Sequence, residues 1–333
     1  MRTVMLCLAW VMAAFTTPAA ANGPPAATVS YQYYTVGDPA APTPGWVEGG
    51  LMLMGGGEWS TEAFRWFVAR AGGGHIVILR ASGGGEAGEE LYREIGGVTS
   101  VETLVFYDRK ASSDPHVLDV LDNADGIFIA GGDQSNYINF WKDTPVEKAL
   151  NAHVDRGRPI GGTSAGLAIL GAAAYGAMDG GSVDSATALN DPMGLAVTMV
   201  RDFLDMPRLQ HVVTDTHFAA RDRLGRLIAF VAQVRATSDP QAIGLGVDED
   251  GAVCVDANGI GRFYTASQGY AWLVQPEALP TSSAGLPLDY ASVRVTGLGV
   301  DGEIDLNTMS ISRPAFSAVA SVEAGRLIGA PSP

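Results

Sequence analysis

Four times between residues 51 and 166, a short apolar run stops at a cluster of glycines and small polar residues. Leu51-Met52-Leu53-Met54 ends at Gly55-Gly56-Gly57, and His75-Ile76-Val77-Ile78-Leu79 ends near Ser82-Gly83-Gly84-Gly85. Gly126-Ile127-Phe128-Ile129-Ala130 ends at Gly131-Gly132-Asp133-Gln134. Pro159-Ile160 leads into Gly161-Gly162-Thr163-Ser164-Ala165-Gly166. Helix-like stretches follow, at residues 60–71, after residue 85, and at residues 135–141 and 145–156. Strand-length apolar runs that alternate with helices restrict the chain to an α/β fold on a mostly parallel sheet flanked by helices. Ligands of such sheets bind beyond the carboxyl ends of the strands. The four glycine clusters are therefore expected along one cleft.

Further strands are expected at residues 101–107 and 211–216, and further helices at 114–124 and 219–235. Asp114 and Pro115 supply a cap and a first turn for the helix at 114–124. Residues 172 to about 200 are rich in Gly, Ala and Asp and are expected to loop over the cleft. After Ala242 the pattern changes to short strands with Asp-Gly and Asn-Gly turns, which are hairpin signals. Asp248-Glu249-Asp250-Gly251 lacks the spacing of a calcium loop and reads as a solvated turn.

The amino terminus has a separate character. Arg2, an apolar stretch over residues 4–15 and Ala19-Ala20-Ala21 form the pattern of a secretory leader cleaved after Ala21. Export to the periplasm or the exterior follows. Cys254 is then the single remaining cysteine, which excludes an internal disulfide. The organisation expected is a leader over 1–21, an exposed lead-in over 22–47, an α/β hydrolase domain over 48–280 and a β-rich extension packed on it over 281–333. A net charge of −15 argues against nucleic-acid or anionic-membrane partners. The sequence leaves oligomeric state open, a homodimer included.

Ser164 stands on a turn between a strand and the apolar run Leu167-Ala168-Ile169-Leu170. A serine there exposes its hydroxyl, and helix amides behind it can stabilise an oxyanion. The pattern G-x-S-x-G is easily met in a chain with 42 glycines, so its context has to carry the reading. A nucleophilic serine needs a base, and the base needs an orienting acid. His75, His116, His153 and His211 lack a special setting. His217 follows a strand in Asp215-Thr216-His217-Phe218 and precedes a helix, on the same sheet edge as Ser164. Asp179, Asp184 and Asp215 are all candidates for the acid. Arg221, Arg223 and Arg226 suit carboxylate recognition by bidentate hydrogen bonds.

Gly131-Gly132-Asp133-Gln134, Gly162-Thr163-Ser164-Ala165-Gly166 and the segment from Asp215 to Arg226 occur in order. Together they resemble peptidase family S51, which contains cyanophycinase and dipeptidase E. The resemblance runs from about residue 50 to 275. It implies a class I glutamine-amidotransferase-like, flavodoxin-related fold and a serine hydrolase that needs no cofactor or metal. Ser164 is then the nucleophile and His217 the base. Asp179 is the best match to the acid, at a dipeptidase E-like distance after the serine. Cyanophycinase has a glutamate slightly further on, where this chain has Ser182. The backbone amides of Ala165 and of Gly132 or Asp133 form the oxyanion hole. Gln134, Asp215, Arg221, Arg223 and Arg226 correspond to the substrate pocket, with Thr216 where cyanophycinase has glutamine. The implied substrate is cyanophycin, a poly-aspartate bearing arginine, or short peptides with N-terminal aspartate. Rival readings are an α/β-hydrolase esterase, with Met54-Gly55-Gly56-Gly57 as its oxyanion loop, and a non-catalytic binding protein.

Overall fold

The apolar runs lie side by side as strands in the computed structural model, which describes residues 29–281 and 283–331. The expected leader lies outside the described residues. The chain opens with β1 (Tyr31–Gly37), β2 (Gly50–Met54), α1 (Thr61–Arg70), β3 (His75–Arg80), α2 (Glu86–Glu90) and β4 (Ser100–Phe106). It continues through α3 (Pro115–Asn123), β5 (Gly126–Ile129), α4 (Gln134–Trp141), α5 (Pro145–Asp155), β6 (Ile160–Thr163) and α6 (Ala165–Ala168). Next come β7 (Ala173–Tyr175), α7 (Ser185–Asn190), β8 (Met199–Arg201), β9 (Val212–Asp215), α8 (Leu224–Thr237) and β10 (Ile243–Val247). The remainder is strand: β11 (Gly251–Asp256), β12 (Ile260–Thr265), β13 (Ala271–Pro276), β14 (Tyr290–Leu298), β15 (Glu303–Asp305), β16 (Ser310–Ser312), β17 (Phe316–Glu323) and β18 (Arg326–Ile328).

The main sheet has ten strands in the order β1-β4-β3-β5-β6-β2-β11-β12-β15-β16. Its centre, β4-β3-β5-β6-β2, is parallel. The strands outside that centre pair antiparallel, so the sheet is mixed where a mostly parallel one was expected. The hairpin signals after Ala242 explain this: their strands close directly onto the edge that β2 offers. A second, six-stranded sheet runs β18-β17-β14-β13-β10-β9, with β9 and β10 as its parallel pair. β7 and β8 form a small ribbon.

Side-chain alternation along the strands assigns the layers. Leu51 and Leu53 join a core with Val120, Leu121, Trp141 and Leu150 of α3 to α5, and with Ile243, Leu245 and Leu273 of the second sheet. Met52 and Met54 face the other way, onto Phe64, Phe67 and Val68 of α1. Each fully buried side chain of this size contributes about 1.5–3 kcal/mol relative to exposure. Ser60 starts α1 by accepting a hydrogen bond from the Ala63 amide. The outer face of the second sheet is covered by α8, through Leu227, Ile228 and Val231.

Three local expectations need correction. The exposed lead-in contains β1, whose Tyr31 and Tyr33 pack on the core while the strand pairs with β4. Aromatic and β-branched residues in Tyr31-Gln32-Tyr33-Tyr34-Thr35-Val36 favour a strand. The loop expected over 172–200 holds β7, α7 and β8. The helix expected from residue 219 begins at Leu224, because His217 and Asp222 have φ of 46° and 48°, outside helical space. Beyond residue 281, β14, β17 and β18 continue the second sheet, while β15 and β16 extend the first.

Candidate active site

Ser164 lies where β6 turns into α6, with φ 53° and ψ −119°. L-residues seldom adopt this conformation, and holding one there costs about 1–3 kcal/mol. The flanking glycines allow the sharp turn. A Cβ on Gly162 would lie 2.5 Å from the Gly166 carbonyl carbon, and one on Gly166 would lie 2.0 Å from the Ile129 oxygen. The hydroxyl is thereby presented at the carboxyl edge of the parallel strands.

His217 follows β9 by two residues and reaches Ser164 from the second sheet. Its Nε2 is 2.7 Å from Ser164 Oγ. Its backbone N–H donates to the Gly55 carbonyl at 2.7 Å. Its ring lies so close to Gly56 that a Cβ there would come within 2.3 Å of it. The Gly55-Gly56-Gly57 cluster is therefore a seat for the imidazole.

The carboxylate at His217 Nδ1 is Glu249, not Asp179: Glu249 Oε1 stands 2.5 Å from His217 Nδ1. Asp179 is exposed on the turn after β7. Asp184 caps α7 through the Thr187 amide, and Asp215 binds Arg226. None of these three takes the place at Nδ1. The turn Asp248-Glu249-Asp250 read as merely solvated is a structural hub. Buried Asp248 accepts from the Ala219 amide, the Tyr270 amide and Trp272 Nε1 at 2.8–3.0 Å. Asp250 accepts from the Glu58 amide and the Ser267 hydroxyl. Glu249 had a legible signal. It follows a buried strand, as Ser164 and His217 do, and β10 lies beside β9.

The chain order is thus Ser164, His217, Glu249, whereas α/β-hydrolase elbows run serine, acid, histidine. Gly55 to Gly57 lie beneath the histidine, so the esterase reading also loses its oxyanion loop.

Ser164 opens into a cavity of about 280 Å³ whose lining includes Gly132, Asp133, Gln134, Ala165, Thr216, Arg221 and Arg223. The amides of Ala165, Gly132 and Asp133 donate to no other group among the described residues. Of the expected pocket residues, Gln134, Arg221 and Arg223 line the cavity, but Asp215 and Arg226 lie beneath its floor. Arg226 grips both Asp215 oxygens, donates to Ser182 Oγ and the Val183 carbonyl, and packs over Tyr175 and Phe230. Each of its three guanidinium nitrogens donates internally, which makes it a support. Arg223 donates to the Thr216 carbonyl and lies 3.6 Å from Asp215. Burial lowers its pKa to about 10, and Asp215 opposes that shift. Two buried guanidinium groups share one carboxylate, so this end of the cavity is cationic.

Burial also pushes the His217 pKa below the ordinary imidazole value. The Glu249 hydrogen bond opposes the shift, and Arg221 and Arg223 reinforce it. A neutral imidazole beside a serine hydroxyl, with its second nitrogen held by a carboxylate, can take the serine proton. Among the described residues, no group of three or more His, Cys, Asp or Glu side chains is placed to hold a metal ion.

The family model for peptidase family S51 matches residues 87–260, a span that contains Ser164, His217 and Glu249. The chain belongs to peptidase family S51. Membership makes it a serine-type peptidase. It is 30% identical over 239 residues to a cyanophycinase of Synechococcus elongatus, covering 69% of each chain. A cyanophycinase of Trichormus variabilis is 28% identical over 268 residues, covering 76% of this chain and 84% of the relative. The solved structure of a peptidase from an acI-B1 Actinobacterium superposes with a TM-score of 0.51 at 15% identity. It covers 78% of this chain and 97% of its own, a likeness of fold.

Proposed function

We propose that this S51 peptidase hydrolyses amide bonds at aspartyl residues, with cyanophycin as substrate and β-Asp-Arg dipeptides as product. The observation that carries the reading is the continuous relay from Ser164 Oγ through His217 to Glu249, beside a cationic cavity. His217 Nε2 accepts the serine proton as Oγ attacks the carbonyl carbon. The carbonyl oxygen becomes an oxyanion, stabilised by the amides of Ala165 and of Gly132 or Asp133. The C–N bond then breaks, and His217 gives its proton to the leaving amine. A water molecule, deprotonated by His217, attacks the acyl ester, and the proton returns to Ser164. Glu249 holds the Nδ1–H and stabilises the imidazolium formed in each half-reaction.

Arg221 and Arg223 attract substrate carboxylates to one end of the cavity. The cyanophycinase relatives supply the polymer as substrate. The glutamine-amidotransferase-like architecture and export from the cell belong to the same reading. A protein outside the producing cell would meet such a polymer as a nutrient.

The test is incubation of the purified protein with cyanophycin and with Asp-X dipeptides, with products identified by mass. Ser164→Ala runs in parallel and is expected to lose at least ~10⁴-fold in turnover. Equal release by wild type and Ser164→Ala would sink the mechanism. Release from dipeptides alone would reassign the enzyme to N-terminal aspartyl peptides.

A further inference from the structure

We propose that Tyr137 is a positioning residue for oxyanion stabilisation: its hydroxyl fixes the Gly131–Gly132 peptide so that the Gly132 amide faces Ser164. The inference rests on the serine mechanism above and adds a residue that no motif marks.

The loop from Ala130 to Asp133 runs between the nucleophile and α4. On one side, a Cβ on Gly131 would come within 3.3 Å of Ser164 Cβ. On the other, the one Tyr137 hydroxyl proton is shared between two acceptors, the Ala130 carbonyl at 2.8 Å and the Gly131 carbonyl at 3.2 Å. A trans peptide is planar, with its C=O and N–H on opposite sides. Drawing the Gly131 oxygen toward Tyr137 therefore turns the Gly132 N–H away from it, toward the cavity that Gly132 lines.

A peptide between two glycines has little steric resistance to reversal. Reversed, it would present a carbonyl oxygen to the developing oxyanion and repel it. The loop thus needs an anchor, and Tyr137 provides one from within the core. The ring is fully buried and stacks on Trp141 with centroids 4.5 Å apart. Burial raises the phenol pKa far above its usual value, so the hydroxyl keeps its proton. Gln134, on the same helix, faces the cavity instead.

The experiment compares Tyr137→Phe with wild type in the full chain. Two probes accompany the kinetics: an aspartyl aldehyde with a free side-chain carboxylate, and the matching alcohol. Addition of Ser164 Oγ to the aldehyde forms a C–O bond and moves the carbonyl π electrons onto oxygen, while the serine proton passes to His217. The adduct therefore needs the oxyanion amides, and the alcohol does not. For Tyr137→Phe, kcat is expected to fall roughly 10–100-fold. KM and alcohol affinity should stay within about twofold, with aldehyde affinity falling alongside kcat. Unchanged kcat and an unchanged aldehyde-to-alcohol ratio overturn the proposal, as does an equal loss for both probes.

Ser164→Ala separates the two levels. If it turns over like wild type, the serine mechanism itself has failed, whatever Tyr137 does. If Tyr137→Phe does not fold, 3,5-difluorotyrosine at position 137 keeps the shape with a stronger donor. The aldehyde-to-alcohol ratio then rises, and an unchanged or lower ratio overturns the assignment.

Discussion

His217 sits between neighbours that pull its proton affinity in opposite directions, and this gives each neighbour a distinct kinetic signature. The base is competent when neutral, so kcat/KM falls as pH drops through the His217 pKa, which burial places below the ordinary value. Arg221→Gln removes a repelling cation and should move the acid limb of the profile upward. Glu249→Gln replaces the charged acceptor at Nδ1 with a neutral amide and should move it downward, with kcat lower by roughly 10²-fold or more. A pH–rate series on both variants checks this, and limbs that move the same way would contradict the assigned geometry. Ser164 and His217 were legible in sequence because each ends an apolar run at a glycine or strand-to-helix turn. Glu249 was missed because its link to His217 spans 32 residues and is made in space. Asp179 had only a sequence distance in its favour. Arg226 looked like a binding residue because charge is visible in sequence, whereas its pairing with Asp215 is not.

The turn after β10, which carries Glu249, ties the segment behind His217 to β13. Asp248 takes one donor from the segment behind His217 and two from the start of β13. Asp248→Asn would replace one accepting oxygen with an NH₂ facing a donor. The expected loss is about 2–3 kcal/mol of stability and roughly tenfold in kcat, checked by urea melts and steady-state rates. A change under about 0.5 kcal/mol would show that the turn holds without it. Elements with strong periodicity or clear caps, such as α1, α3 and β2 to β6, were readable from sequence. The start of α8 was not, because residues 218–223 have helical composition but follow a backbone that leaves helical space at His217. The fate of strands β11 to β18 was equally hidden: hairpin signals identify strands without saying which sheet receives them.

At the scale of the molecule, acid stability is expected to depend on a histidine remote from the site. His153, fully buried on α5, donates from Nε2 to the Pro159 carbonyl just before β6, while its Nδ1 has no partner among the described residues. Burial lowers its pKa to about 4. The unfolded chain takes up this proton near pH ~6.5 and the folded chain only near 4, so stability falls as pH drops through that window. The slope is about 1.4 kcal/mol per pH unit, or about 3 kcal/mol in all. His153→Gln should flatten the loss between neutral pH and about pH 4.5 by about 2–3 kcal/mol in urea melts. An unchanged slope would assign the acid sensitivity to other groups. The same scale governs the relay. Ser164 follows a strand of the ten-stranded sheet, His217 follows one of the six-stranded sheet, and Glu249 lies on the crossing from β10 back to β11. During synthesis the nucleophile therefore emerges long before its base and acid, and β11 must still insert beside β2 to seat the turn between them. On this reading the chain is inert toward amide bonds, its own and its neighbours', until both sheets have closed, a safeguard that needs no removable inhibitory segment.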